Sequence, residues 1–389
     1  MKKLGTGYCH KVFVSPVDGS EQRYALWVPL SYTPDKNYPL IVALHGTDAD
    51  EKMIPEQCFE MPVRGFREDV IFISPFCRGD LFYRGAAEAD LWAAIKAVKS
   101  EYKIDSKRHY LTGLSMGGYG TWRLGALYPQ YWAAIAPICG GGEAWMAAAL
   151  AKMPVWCVHG DEDEQVAVEN SRYLVEALKP MNSKVRYDEL SGWGHNSWEW
   201  LYDPDRTLDT LVSWFLSHRK PASARNVFVP RLQNDFWDLF RRRLIISYAS
   251  GGSKKERGRN QEIAERFGKF QFGDWQMRAG QFFVKPDTAL TAEEIRTDNH
   301  LLVGKPIEHA ATIKFKGIDP SKKNLALRSL KRGALKIATG PWSSNRKQTI
   351  GICCCHPGID LATTMESLLD DTGGKQQNPL VSGWEASRP

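Results

Sequence analysis

Apolar positions along the first 220 residues follow two alternating patterns. Four short runs are mostly apolar: 38–44, 70–74, 132–137 and 154–158. Such runs are typical of strands buried on both faces of a parallel sheet. Between them lie segments with helical periodicity, of which 88–102 is the clearest, with an apolar residue at every third or fourth position. This alternation predicts an α/β fold, a mostly parallel sheet with helices on both faces.

The other segments of this half fit the same pattern. Strand-like segments at 11–14 and 23–28, joined by a turn at Asp18-Gly19-Ser20, predict an opening hairpin. Two further strands are predicted at 110–112 and 184–190. Further helices are predicted at 118–128, 144–152, 168–179 and 208–218.

The second part of the chain has a weaker pattern that predicts a small α/β unit of Rossmann or flavodoxin-like kind. Its strands are predicted at 244–248, 282–284, 301–303 and 348–356, and its helices at 254–267 and 291–297. The turn Gly251-Gly252-Ser253 has the composition of a phosphate cradle, but Gly-x-Gly-x-x-Gly is absent. We therefore expect a packing or oligomerisation module without a cofactor. From Asp371 onward we expect a mobile tail.

The charge balance changes sign near residue 219. Residues 1–218 contain 22 Lys and Arg against 28 Asp and Glu, whereas residues 219–389 contain 29 against 17. For a chain of 389 residues we expect two domains, a catalytic one at 1–218 and an appendage at 219–389. The basic half is expected to present a solvated face rather than a nucleic-acid site.

The N-terminus and the cysteines bear on the compartment and on metal binding. No apolar run follows Met1-Lys2-Lys3, and no stretch approaches the ~20 apolar residues of a membrane span, so as written the chain is expected to be cytoplasmic. The eight cysteines show no paired spacing, which suits a reducing compartment. Cys353 to Cys355 precede His356 in a strand-like run. Since adjacent residues on a strand point to opposite faces, we expect no metal site there.

The segment with the clearest chemistry is Gly113-Leu114-Ser115-Met116-Gly117, between a predicted strand and a predicted helix. A Gly-x-Ser-x-Gly sequence in this setting predicts a nucleophile elbow, a tight turn that lifts the serine above the sheet edge. Side chains at 113 and 117 would collide across so sharp a bend. The helix that follows points free N–H groups and its positive dipole end towards Ser115.

Other polar segments follow predicted strands and are expected at the same edge of the sheet. A serine hydroxyl needs an adjacent base, and His195 is the candidate because it lies in a Gly- and Trp-rich loop after the last strand. A carboxylate orients such a histidine, and Asp163 and Asp161 both follow the strand at 154–158.

An oxyanion needs fixed N–H donors, for which the sequence offers two candidates. One is the backbone N–H of Met116, directly after the serine, and the other is that of Thr47, after the strand at 38–44. His45 and His159 each precede a glycine at a predicted strand end, and we expect both to be structural.

Four segments resemble one branch of the α/β-hydrolases: 40–46, 110–118, 158–166 and 192–198. That branch contains feruloyl and acetyl-xylan esterases, polyhydroxybutyrate depolymerase-like enzymes, phospholipase/carboxylesterase-like proteins and prolyl-oligopeptidase-like peptidases. The resemblance covers about residues 8–218 and implies that the acid is Asp163, four residues after His159. The chain departs from the branch in having Ala167 where proline is frequent and in lacking the secretion signal that many members carry.

We therefore expect a serine hydrolase that cleaves small-molecule carboxylic esters through an acyl-enzyme, with no cofactor and no metal. Its catalytic residues would be Ser115, Asp163 and His195. A serine peptidase shares every motif, and a non-catalytic binding scaffold is a third hypothesis. The substrate pocket is expected to be lined by Trp193, Trp198 and Trp145, for which core packing is the alternative. The sequence leaves the oligomeric state open.

Overall fold

The chain divides into two compact units. The first comprises Met1–Ser15 and Glu21–Arg231, and the second comprises Pro16–Ser20 and Leu232–Pro389. The computed structural model describes residues 5–182, 184–220, 243–269, 283–303, 334–339 and 349–354. The domain boundary expected between residues 218 and 219 stays a prediction, and the tail expected from Asp371 lies outside the described residues.

The first unit is built on an eight-stranded sheet. Its strands are β1 (Gly7–Val14), β2 (Glu21–Val28), β3 (Tyr38–Leu44), β4 (Ile71–Pro75), β5 (Ile104–Leu114), β6 (Ala134–Ile138), β7 (Val155–Gly160) and β8 (Val185–Leu190). They lie in the order β1-β2-β4-β3-β5-β6-β7-β8. β2 is antiparallel to β1 and to β4. All the strands from β4 to β8 in this spatial order, β3 included, are parallel to their neighbours. The predicted hairpin and the predicted mostly parallel sheet are confirmed.

Helices connect these strands as the periodicity predicts. They are α1 (Met61–Arg64), α2 (Ala86–Glu101), α3 (Met116–Leu127), α4 (Trp145–Ala149), α5 (Glu169–Leu178), α6 (Trp198–Leu201) and α7 (Leu208–Leu216). The sequence did not predict α1, α6 or a π-helical turn at Met53–Cys58. Each is four to six residues long, too short for helical periodicity to be recognised.

The core lies on both faces of the central strands. Every residue of β3, β4, β6 and β7 is buried, which explains why these segments are almost wholly apolar. On one face, Tyr110 of β5 stacks on Phe215 of α7 with ring centroids 5.0 Å apart. Burial of each large side chain of this kind stabilises the fold by roughly 1.5–3 kcal/mol.

The strand register brings several loops to one edge of the sheet. Leu44, the last residue of β3, pairs with Gly113 of β5, and Gly160, the last residue of β7, pairs with Leu190 of β8. Because these strands are parallel, the segments that follow them all begin at the carboxyl edge. The loops that carry Thr47, Ser115, Asp163 and His195 therefore start side by side.

The second unit has its own five-stranded sheet. Its described elements are β9 (Leu244–Tyr248), α8 (Lys254–Lys269), β10 (Phe283–Pro286), α9 (Ala292–Thr297), β11 (Asn299–Val303), β12 (Ala334–Thr339) and β13 (Thr349–Cys354). The strand order is β10-β9-β11-β13-β12, with only β12 antiparallel to its neighbour. The sheet with α8 and α9 makes this an α/β unit, while its assignment to a Rossmann or flavodoxin-like fold stays a prediction. Of the residues that were considered for a metal site, Cys355 and His356 lie outside the described residues, so the expectation of no metal there stays a prediction.

The helices of both units also bear on membrane insertion. Within the ranges that the structure describes, none is both long enough and apolar enough to span a bilayer.

Candidate active site

Ser115 occupies a strained turn between β5 and α3. Its backbone has φ 53° and ψ −118°, a conformation that non-glycine residues rarely adopt. A Cβ at Gly117 would lie 2.0 Å from the carbonyl oxygen of Leu44, and one at Gly113 would lie 2.5 Å from that of Gly117. The Ser115 N–H donates to Ile138 O at 3.0 Å. The two glycines are thus required by close packing, and the turn holds the serine side chain above the sheet edge.

His195 joins Ser115 to Asp163 through two hydrogen bonds. Ser115 Oγ lies 2.8 Å from His195 Nε2, and His195 Nδ1 lies 2.7 Å from Asp163 Oδ2. The imidazole is 11% exposed, whereas the carboxylate is fully buried. With a proton on Nδ1, the histidine donates to the carboxylate and leaves Nε2 free to accept from the serine hydroxyl. The structure thus brings the three predicted residues into one line.

The Asp163 carboxylate has four hydrogen-bond partners. Its Oδ1 accepts from the backbone N–H groups of Gln165 and Val166 at 2.9 and 2.8 Å. Its Oδ2 accepts from His195 and also lies 3.1 Å from His159 Nε2. Four donors thus surround a carboxylate that is closed off from solvent.

Asp161, the alternative acid, has a different position. Its Oδ1 accepts the N–H of Gly192 at 2.7 Å, and its own N–H donates to Leu190 O at 3.1 Å. Next to it, the N–H of Glu162 donates to Trp193 O at 3.0 Å. These bonds fasten the loop after β7 to the loop that carries His195. Asp161 therefore braces the histidine loop without contacting the imidazole.

The loop after β3 lies against the serine. A Cβ at Gly46 would come within 2.9 Å of Leu114 and 3.6 Å of the Ser115 side chain. In the described part of the chain, no acceptor meets the backbone N–H of Thr47 or of Met116. Both predicted oxyanion donors are thus without an acceptor there; Thr47 follows Gly46, which lies against the serine, and Met116 follows the serine directly in sequence. Their role as an oxyanion hole stays a prediction.

A strained segment after β4 holds this loop in place. Four non-glycine residues in it have positive φ: Cys77, Arg78, Phe82 and Tyr83. The Tyr83 hydroxyl donates to His45 O at 2.9 Å, His45 Nε2 lies 2.8 Å from Phe76 O, and the Asp48 N–H donates to Asp80 Oδ1 at 3.0 Å. The expected structural role of His45 agrees with these contacts.

The three predicted pocket tryptophans are placed differently. Trp198 meets the His195 ring edge-on, with centroids 5.5 Å apart. The Trp145 indole N–H donates to Glu143 at 2.8 Å, and Trp193 contributes its carbonyl oxygen to the loop contact described above. All three side chains are half-buried. A pocket role for each of them stays a prediction.

Cys139 is a neighbour of the site that the sequence did not single out. Its sulfur accepts from the Ser115 N–H at 3.3 Å, and together with ligand atoms of Asp163 and His195 it forms a group within 4.8 Å. Three such side chains resemble a metal site, but Asp163 and His195 already bind each other. Burial also raises the pKa of the Cys139 thiol, which disfavours the thiolate that a metal needs. This chemistry does not favour a metal.

Comparison with known proteins gives two curated relatives and a set of solved structures. No family model matches the chain. A bifunctional acetylxylan esterase/xylanase of Neocallimastix patriciarum is 29% identical over 155 residues, covering 38% of this chain and 22% of that protein. Poly(3-hydroxyalkanoate) depolymerase C of Paucimonas lemoignei is 30% identical over 118 residues, covering 27% of this chain and 28% of that protein. The chain therefore spans about a quarter of the length of these relatives.

Among solved structures, a thermostable esterase is 31% identical with a TM-score of 0.48, covering 55% of this chain and 63% of that one. The order of strands, the strained serine after β5 and the helix that follows it are the arrangement of the α/β-hydrolases.

Proposed function

We propose that this chain, whose first unit has the α/β-hydrolase fold, is a serine hydrolase that cleaves carboxylic esters through an acyl-enzyme. The observation that carries the proposal is the unbroken line of hydrogen bonds from Ser115 Oγ through His195 to Asp163. A binding scaffold has no need of this line, since it gains nothing from a strained serine held against a base.

The geometry supports a two-step reaction. In the first step Ser115 Oγ attacks the ester carbonyl carbon while His195 Nε2 removes the hydroxyl proton. The negative charge moves to the carbonyl oxygen, where the N–H groups of Met116 and Thr47 would receive it. Collapse of this intermediate breaks the bond to the alcohol oxygen, which takes the proton from His195. Asp163 stabilises the imidazolium throughout.

In the second step water takes the place of the alcohol. His195 removes a proton from the water as its oxygen attacks the acyl carbon, and returns that proton to Ser115 Oγ when the acyl group leaves as the acid. The His195 side chain is 11% exposed, so part of the base is open to solvent water. The product is a carboxylic acid, and the enzyme returns to its starting protonation state.

The names of the curated relatives support an ester rather than an amide substrate. One is an acetylxylan esterase/xylanase and the other a poly(3-hydroxyalkanoate) depolymerase, and both acetylxylan and poly(3-hydroxyalkanoate) contain carboxylic esters. We propose a small-molecule ester with Trp198, beside His195, against its alcohol or acyl part.

The test compares p-nitrophenyl acetate with peptide p-nitroanilides on the full chain. We expect turnover of the ester, and we expect Ser115→Ala to reduce kcat on the order of 10⁴-fold or more, because the nucleophile is lost. Ser100→Ala, on the exposed face of α2, is the matched control and should match the wild-type chain. A preference for the anilides would identify a peptidase, and activity of Ser115→Ala within tenfold of wild type would remove the nucleophile assignment.

A further inference from the structure

His159 is a fully buried histidine that touches the acid of the site. It is the fifth residue of β7, four residues before Asp163. Its Nε2 lies 2.9 Å from Val166 O and 3.1 Å from Asp163 Oδ2, and its Nδ1 lies 2.7 Å from Ser171 Oγ. The mechanism above does not use this side chain.

The neighbours of the ring fix where its proton lies. Both groups next to Nε2, the Val166 carbonyl and the Asp163 carboxylate, can only accept hydrogen bonds, so Nε2 must carry the proton. Burial lowers the pKa of His159, which favours the neutral ring, and a neutral ring protonated on Nε2 presents Nδ1 as an acceptor to the Ser171 hydroxyl, whose oxygen also lies 3.1 Å from Gly140 O. His159 is therefore a neutral donor whose Nε2–H is shared between Val166 O at 2.9 Å and Asp163 Oδ2 at 3.1 Å.

The two oxygens of the carboxylate are held by different groups. The backbone N–H groups of Gln165 and Val166 hold Oδ1. These two bonds fix one oxygen, but the carboxylate can still rotate about that oxygen. The second oxygen, Oδ2, must face His195 Nδ1 at 2.7 Å. Among the described residues, the donor at Oδ2 apart from His195 is His159. The plane of the carboxylate thus depends on this contact.

We propose that His159 is a positioning residue that holds Asp163 Oδ2 in line with His195, and so keeps the base oriented towards Ser115. The proposal rests on the proposed function. His159 touches neither the nucleophile nor the site of the substrate carbonyl. It acts only through Asp163, by sharing one oxygen with His195.

Few charged or titratable groups face His159 in the described residues. They are Asp163 on its own segment, His195 on the loop after β8, and Glu189 on β8, which pairs with His159 in the sheet. Tyr119 of α3 faces Asp163, whose charge, after burial, contributes to the raised pKa of that phenol. A pH effect of replacing His159 should therefore appear through Asp163 and His195.

The experiment uses the full chain and a pair of similar substitutions. The amide nitrogen of glutamine reaches about as far as Nε2 of histidine, whereas that of asparagine reaches only about as far as Nδ1. His159→Gln retains a donor to Asp163 and His159→Asn removes it. His109→Asn is the matched control, since His109 is also a buried histidine but lies on β5, six residues before Ser115. Should His159→Asn not fold, His159→Leu takes its place.

We expect His159→Asn to lower kcat on p-nitrophenyl acetate on the order of tenfold to a hundredfold, with KM within about twofold, because the loss is one of orientation. His159→Gln should recover to within about fivefold of wild type. Removing a donor also leaves more of the carboxylate charge for the bond to His195, so the acid limb of kcat/KM should move to higher pH.

A second readout needs no turnover. The proton between His195 Nδ1 and Asp163 should give a strongly downfield proton NMR signal, which His159→Asn should shift or broaden and His109→Asn should leave in place. Equal losses in the glutamine and asparagine variants, with an unchanged acid limb and an unchanged downfield signal, would overturn the proposal and leave only a packing role. Failure of the proposed function is distinguishable, since it would appear as a wild-type chain no more active than Ser115→Ala.

Discussion

Replacing Asp163 by asparagine tests the centre of the proposed machinery, because the structure determines how the new amide must lie. Oδ1 of Asp163 accepts two backbone N–H groups, from Gln165 and Val166. The amide oxygen of Asp163→Asn would take that position, since an NH₂ group there would face two donors. The NH₂ group is then forced to the position of Oδ2, where it faces the ring nitrogens of His159 and His195.

The consequence is a change of tautomer in His195. Facing an NH₂ group, its Nδ1 becomes an acceptor, so the proton moves to Nε2 and that nitrogen can no longer take the proton of Ser115. The same replacement in a serine protease triad reduces kcat about 10⁴-fold, equivalent to roughly 5.4 kcal/mol in the barrier. We expect a loss of that order here, with little effect of the substitution on KM.

Asp161→Asn is the matched control, since it makes the same chemical change two residues away. Asp161 accepts one N–H, from Gly192, and an amide oxygen accepts that bond equally well. We expect a loss of about tenfold or less. Both variants are assayed on p-nitrophenyl acetate, with folding checked by circular dichroism. A larger loss in Asp161→Asn than in Asp163→Asn would refute the assignment of the acid and the reasoning about the amide.

Three further predictions concern the fold and the division of the chain. Gly117→Ala places a methyl group 2.0 Å from Leu44 O, so we expect the variant to lose several kcal/mol of stability or to be insoluble. Gly192→Ala is the control, because Gly192 has φ 75° but nothing within 4 Å, and it should cost only about 1–2 kcal/mol. Similar melting temperatures for the two variants would contradict this. Burial, with Lys220 and Lys99 nearby, lowers the pKa of His109 to about 3. As the pH falls, the unfolded chain therefore protonates His109 before the folded chain does. The contribution of His109 to the free energy of unfolding is fully present above pH ~6.5 and falls by up to roughly 4 kcal/mol towards pH 3. Urea unfolding should show a smaller dependence on pH in His109→Phe. A chain ended at Lys220 should keep its esterase activity, because the proposed catalytic residues all precede it; a folded, soluble and inactive product would show that later residues complete the site.

The sheet was predictable from sequence because its strands are buried on both faces. Segments such as β3 and β7 must be almost wholly apolar, and this makes a pattern that is recognisable in the sequence. The length of β5 was not predictable, since its first residues, Ile104 to Arg108, are half-buried or exposed and have no apolar pattern. Ile104 pairs with Tyr38 of β3, so this extension depends on the neighbouring strand and not on its own composition.

The segment that braces the loop after β3 illustrates a different limit. Cys77, Arg78, Phe82 and Tyr83 have no intrinsic preference for positive φ, so nothing in their types indicates this conformation. Contacts distant in sequence stabilise it, among them the hydrogen bond from Tyr83 to His45 O. Backbone strain that tertiary contacts impose cannot be predicted, because it has no pattern in the local sequence.

Within the site, residue types, spacing and the family resemblance pointed to Ser115, His195 and Asp163, which the structure brings together, but not to the groups around them. Ser115, His195 and Asp163 each follow a strand in a recognisable motif. Cys139 also follows a strand, β6, yet a cysteine beside glycines has many other uses, and its contact with the Ser115 N–H depends on the neighbouring strand. Such supporting groups become visible only when the strand register is known.

The segment from His159 to Asp163 shows why the spacing within a motif has a physical meaning. His159 is the buried residue before the last of β7, and the turn that follows the strand brings Asp163 Oδ2 to 3.1 Å and Val166 O to 2.9 Å from its Nε2. Gly160 has no side chain, because a Cβ there would lie 2.1 Å from Trp193 O on the His195 loop. A shorter or longer interval would separate the carboxylate from His159, and a larger residue at 160 would push the His195 loop away. In the proposed site, His159 therefore orients Asp163, Gly160 leaves room for the loop that carries His195, and Asp163 contacts both histidines.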